Sequence, residues 1–170
     1  MLEKLASKKP RSAEFVLVLD EQAVDEYEQA RAAVGMAELM ARQPDGSTGA
    51  DPAIALAKDR LAGAEAAYRD AVFALRFEAL ARHEYAALLA ANPPTAEQKA
   101  RDEDYNVDKF APALCAACSL DGLESEDFVR LWHGDKAAGN KGWNEAEVAK
   151  CYQTALAVCT QSRNAALPKG

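Results

Sequence analysis

No apolar run in this chain approaches the ~18 residues needed to span a bilayer. The first ten residues carry Lys4, Lys8 and Lys9 and lack the apolar stretch of a secretory signal. Membrane insertion and export are therefore not expected, and a soluble intracellular protein is. Aromatic residues are scarce, at 7% of 170, and much of the 49% hydrophobic fraction is alanine. Alanine lets helices approach closely but buries little area, so thin helical interfaces and help from self-association are expected. Basic residues are outnumbered, 20 against 27 acids, for a net charge of −7. That excludes a broad basic surface of the kind that displaces counterions from nucleic acid. The basic group Lys4, Lys8, Lys9 and Arg11 reads as a solvated N-terminal tail.

Signals for chemistry are equally sparse. There are two histidines, His83 and His133, and neither has a Ser or Cys nucleophile motif beside it. The acidic run Asp102, Glu103 and Asp104 lacks the glycine-centred spacing of a calcium loop. The GNKG at 139–142 lacks the context of a phosphate loop. No catalytic residue and no cofactor are expected, and the chain reads as a non-enzyme. Its four cysteines, in an intracellular chain, read as reduced thiols. Cys115 and Cys118 have zinc-like or redox-like spacing, and Cys151 and Cys159 are available as further ligands. The Ala-Ala between the first two, inside an apolar helical run, favours small buried hydrophobes over metal or redox use.

What is present is helical periodicity. Residues 15–19 (FVLVL) form a short β-branched run, read as a strand. Over residues 21–41, Tyr27, Ala30, Val34, Ala37 and Ala41 recur at alternating spacings of 3 and 4. After a Pro, Gly and Ser loop at 42–50, Asp51-Pro52 gives an N-cap and a first-turn proline. Ile54, Ala57, Leu61, Ala64 and Tyr68 then repeat the same spacing to about residue 69. Two matching stripes predict an antiparallel helical hairpin. Phe73, Leu75 and Phe77 alternate, with Arg76 on the other face, and suggest a second strand pairing with the first. An open edge on such a two-stranded ribbon would be a natural docking point.

The remainder reads as short helices. One covers 82–91 with Tyr85, Leu88 and Leu89 inward, and Asn92-Pro93-Pro94 ends it. A capping box at Thr95 and Gln98 starts the next turn. Residues 107–120 place Phe110, Leu114, Ala117 and Cys118 on one face. Ser125 caps a helix over 126–133 with Phe128, Leu131 and Trp132 apolar, followed by a polar loop at 134–142. A second capping box, Asn144 with Glu147, opens a helix to about 161 with Val148, Cys151, Tyr152, Ala155 and Cys159 inward. The fold class is thus mainly α (α+β). The expected domains are a flexible tail at 1–13, a strand–hairpin–strand segment at 14–78, a helical domain at 79–163 and a tail at 164–170. Trp132 and Trp143 bracket the 134–142 loop, packed under it or anchoring a partner. With Phe110 and Leu114 they form the candidate partner-binding set, core packing being the alternative for each.

One segment has an ordered signature. It runs through Phe77, Leu80, Tyr85, Leu88, Pro93, Pro94, Thr95 and Gln98. It continues through Asn106, Asp108, Phe110, Pro112, Ala113, Leu114, Ala116, Ala117 and Cys118, then Trp132 and Gly142-x-Asn144. In this order the motifs resemble those of the tail assembly chaperones of long-tailed bacteriophages and prophages of actinobacteria. The resemblance covers roughly half of the chain. Asn92 departs from it where histidine would precede Pro-Pro, and so do Cys151 and Cys159 where apolar residues would stand. It implies a siphovirus-type chaperone that binds the tape-measure protein, keeps it soluble and helps recruit tail-tube (major tail) subunits. It also implies self-association, residence in the host cytoplasm and absence from the mature virion. The family often has a longer, frameshifted form, with which the end at 167–170 is compatible. The alternative is a structural virion protein, a minor tail or head–tail connector component. A small zinc-binding regulator is a third reading.

Overall fold

The computed structural model describes residues 7–41, 52–135, 137 and 139–161. The expected 42–50 loop, the Asp51 cap and the tails at 1–6 and 164–170 lie outside the described residues. Among those described, the protein is mainly α, with seven helices and one two-stranded antiparallel sheet. No helix among them is long and apolar enough to cross a membrane.

The sheet pairs β1 (Ser12–Val18) with β2 (Val72–Glu78). Its register is fixed at both ends. The Leu19 N–H donates to the Ala71 carbonyl at 2.7 Å, and the Ala79 N–H donates to the Arg11 carbonyl at 2.8 Å. Alternation puts Phe15, Leu17, Leu75 and Phe77 on the buried face, with Phe73 of the same face left half exposed. The first strand starts three residues earlier than its apolar run suggests, so residues 12 and 13 are strand and not tail. Ser12 and Glu14 pair as well as valine does, because an outward face imposes no hydrophobicity. Arg11 is likewise held. Its guanidinium donates to the carbonyls of Ala157 at 3.2 Å and Gln161 at 2.7 Å.

The chain forms two compact units, residues 16–74 and the rest. In the first, α1 (Glu21–Ala41) and α2 (Pro52–Ala71) are the antiparallel hairpin. The stripes read from spacing face inward, apart from Ala41, which is exposed at the end of α1. Tyr27 stacks on Tyr68 with ring centroids 4.5 Å apart, and Lys58 reaches Glu38 at 3.1 Å. Together these fix the helix register at two points, although an exposed ion pair contributes little by itself. Met36, Leu39, Met40 and Leu56 remain 55–72% exposed. Their helical phase turns them away from the shared stripes.

In the second unit, α3 (Arg82–Ala91) and α4 (Ala96–Ala100) lead into α5 (Val107–Cys118), α6 (Ser125–His133) and α7 (Glu145–Thr160). The two capping boxes form as the sequence suggests. Thr95 and Gln98 exchange bonds at 2.9 and 3.2 Å, and Asn144 and Glu147 at 2.8 and 3.0 Å. At α6 the cap is Glu124 rather than Ser125. Its N–H donates to Asp127 Oδ2 at 3.0 Å, so the serine becomes the first helical residue. Helix α5 ends at Cys118, short of residue 120, because the next residues leave to cover β2. The Leu120 N–H donates to the Arg76 carbonyl at 2.9 Å, and Asp121 accepts from the Arg76 N–H at 2.8 Å and from its guanidinium at 2.7 Å. This closes the outer edge of β2 at that point.

Helix α5 is the centre of this unit and packs on α3, α6 and α7. Phe110, Ala111, Leu114, Cys115 and Cys118 are its buried face. Ala117, expected on that face, is exposed. Two adjacent rows, 110–114–118 and 111–115, already fill the inward arc, and a residue seven after Phe110 rotates just past it. Phe77, Phe110 and Phe128 are fully buried, each stabilising by about 1.5–3 kcal/mol relative to exposure. Phe128 links Phe77 (6.4 Å between centroids) to Trp132 (5.9 Å, edge-on).

Candidate functional site

An open cleft of about 470 Å³ lies where the start of α5, the end of α6 and the start of α7 converge. Its apolar lining comes from Ala111, Trp132, Trp143, Val148 and Tyr152, and its charged rim from Asp108 and Glu145. His133 also borders it, whereas His83 is exposed on α3.

Local sequence explains how both tryptophans reach one place. Gly134 ends α6 at φ 73°, ψ 177°, a conformation open essentially to glycine alone. Asp135 and Asn140 then pair, each N–H donating to the other's carbonyl at 2.9 Å. Asn140 Oδ1 accepts from the Gly142 N–H at 2.9 Å. The Trp143 N–H finally donates back to the Leu131 carbonyl at 3.0 Å. The loop thus returns Trp143 to the level of the α6 turn that carries Trp132. Trp143 packs against Phe15 with centroids 5.5 Å apart.

Trp132 Nε1 is buried and, among the described residues, has no hydrogen-bond partner. A buried donor without an acceptor costs about 1–3 kcal/mol. On the α5 side, Pro112 lies inside the helix and supplies no N–H to the Asp108 carbonyl one turn earlier. At the back, the Tyr152 and Tyr105 hydroxyls meet at 2.9 Å, and burial followed by this contact pushes Tyr152 well above the usual phenol range. Tyr152 is therefore a neutral wall.

Of the four candidate residues, the structure brings only Trp132 and Trp143 to this cleft. Phe110 and Leu114 are fully buried in the core. Phe110 is boxed in by Tyr85 (5.9 Å) and Tyr105 (4.6 Å). Sequence reading missed Val107, Asp108, Ala111 and Tyr152 as lining residues. The signal available for the first three was their place directly after the α5 cap Asn106, whereas Tyr152 stands two turns into α7 and had only its inward phase.

The cysteines form two facing pairs between α5 and α7. Cys118 Sγ lies 3.5 Å from Cys159 Sγ. Contact with Cys151, then burial, pushes the Cys115 thiol up. All four are free thiols. Among the described residues no group of three or more His, Cys, Asp or Glu side chains is placed to hold a metal ion. No protein-family model, curated protein or solved structure matches the chain.

Proposed function

We propose that this protein is a tail assembly chaperone that holds an amphipathic helical segment of a tape-measure protein in the Trp132–Trp143 cleft. The observation that carries the reading is the open apolar cleft walled by Trp132 and Trp143 and bordered by Asp108 and Glu145. Such a site suits a helix with apolar anchors and basic flanks that complement Asp108, Glu145 and the net charge of −7. The motif order from Phe77 to Asn144 supports the same reading.

A tape-measure protein exposes apolar stripes until tail-tube subunits enclose it. Its chaperone must bind many equivalent segments and then be displaced. A small open cleft, repeated on many copies, gives modest individual contacts with high combined affinity. Self-association through the exposed Met36, Leu39, Met40 and Leu56 surface of the hairpin unit belongs to this reading. The site of action is the host cytoplasm, and tail-tube subunits are the second partner. A structural virion component is the competing assignment, and it requires the protein to remain in purified particles.

Co-expression with the tape-measure protein, followed by size-exclusion chromatography with mass detection, tests the proposal. Soluble tape-measure protein eluting with several copies of this chain is the expected result. Insoluble tape-measure protein, with this chain eluting alone, would refute it.

A further inference from the structure

Cys118 ends α5 and Cys159 lies in the last turn of α7, and their sulfurs are 3.5 Å apart on two helices in direct contact. A disulfide needs about 2.05 Å, so closure is a small movement at two helix ends. The two thiols differ in access. Cys118 is 2% exposed, whereas Cys159 is half-buried and lines a second open cleft of about 650 Å³. Lys8, Lys9 and Arg11 line that cleft too. A cationic surround draws in anionic reagents.

We propose that Cys159 and Cys118 are a redox dithiol that closes to an intramolecular disulfide when an anionic low-molecular-weight disulfide enters the Lys8–Lys9–Arg11 cleft. The Cys159 thiolate attacks one sulfur of the reagent, whose S–S bond breaks. One reagent thiolate leaves and takes up the proton that Cys159 lost. Cys118 then attacks the Cys159 sulfur of the mixed disulfide, and the second reagent thiol leaves with the Cys118 proton. The protein loses two electrons and two protons, and the reagent disulfide becomes two thiols. Burial, then contact with Cys159, pushes the Cys118 thiol up, so this second step is the slow one. Cys115 and Cys151 are fully buried and stay reduced. The bond closes a loop between positions 41 apart and ties α5 to α7, both of which line the tryptophan cleft.

Glutathione disulfide is the probe, applied to the native full chain, with denaturing alkylation and peptide mapping as the readout. The expected product links Cys118 to Cys159, has lost two hydrogens, and has Cys115 and Cys151 alkylated. Its melting temperature rises by roughly 10 °C over the reduced protein. Cys118→Ser stops at a glutathione adduct on Cys159, and Cys159→Ala yields neither adduct nor link. Lys8→Glu with Lys9→Glu slows the reaction about tenfold with glutathione disulfide but not with neutral hydroxyethyl disulfide. A persistent adduct without closure in the unsubstituted chain, a link involving Cys115 or Cys151, or no reaction within hours would overturn the dithiol. Equal slowing with both reagents would overturn the role of the cleft.

Discussion

Gly134 and Gly142 face each other backbone to backbone. A Cβ on Gly134 would stand 2.5 Å from the Gly142 nitrogen, and one on Gly142 would stand 2.6 Å from the Gly134 nitrogen. Both have positive φ, +73° and +77°. The neck of the 134–142 loop is therefore closed to any side chain at either position, and it is this neck that brings Trp143 to Trp132.

Gly142→Ala should destabilise the protein by about 1–3 kcal/mol from backbone strain alone, with more from the clash. Tryptophan fluorescence should shift red as the two indoles lose their packing. An unchanged unfolding midpoint and spectrum would show that the neck does not position the cleft.

Trp132→Phe separates stability from binding. Loss of the unpaired N–H and loss of ring volume oppose each other, so free-protein stability should stay within about 1 kcal/mol of the parent. Under the proposed function, affinity for a tape-measure helix should fall with the apolar ring area lost from the cleft wall. Equal affinity by calorimetry would remove Trp132 from the recognition scheme.

Phe110→Ala should behave as a core deletion, costing about 3–5 kcal/mol in denaturant unfolding. Trp143→Ala should instead weaken partner binding more than it lowers stability. The reverse order would return Phe110 to the list of binding residues and Trp143 to the core.

Asp121 carries a pH signature. The Arg76 N–H, then its guanidinium, hold the Asp121 carboxyl below its usual range in the folded state. A depressed folded value means the contribution is fully present above the unfolded carboxylate pKa and is lost as pH falls through the folded one. Asp121→Ala should therefore lower the melting temperature at neutral pH, and the difference should shrink under strong acid. A difference that persists under strong acid would assign the effect to packing instead.

Met40→Glu combined with Leu56→Glu alters side chains that are 63% and 72% exposed. Stability should change by no more than about 0.5 kcal/mol per site. The mass in solution should drop if this surface holds copies together. An unchanged mass would locate self-association elsewhere.

The hairpin was legible because its two stripes keep a helical period from Tyr27 to Ala41 and from Ile54 to Tyr68, and Tyr27 and Tyr68 indeed meet. The caps at Thr95 and Asn144 were legible because capping is a local hydrogen-bond problem, solved within three or four residues. The start of β1 was not. Ser12 and Glu14 lie in a strand only because β2 is there to pair with them, and their own chemistry does not require it. Ala117 was misplaced for a related reason, since the width of a buried arc depends on what packs against it.

The sequence by itself determined the helical class, the paired stripes of the hairpin and the helix starts at Thr95 and Asn144, because periodicity and capping are written in residues a turn or two apart. Tertiary structure decided which apolar residues are core and which are surface. Phe110 and Trp143 are alike in character, yet one is enclosed by Tyr85 and Tyr105 and the other lines an open cleft. It also decided that Cys118 meets Cys159 across two helices. Burial and contact depend on neighbours from distant parts of the chain, and local pattern carries no record of them.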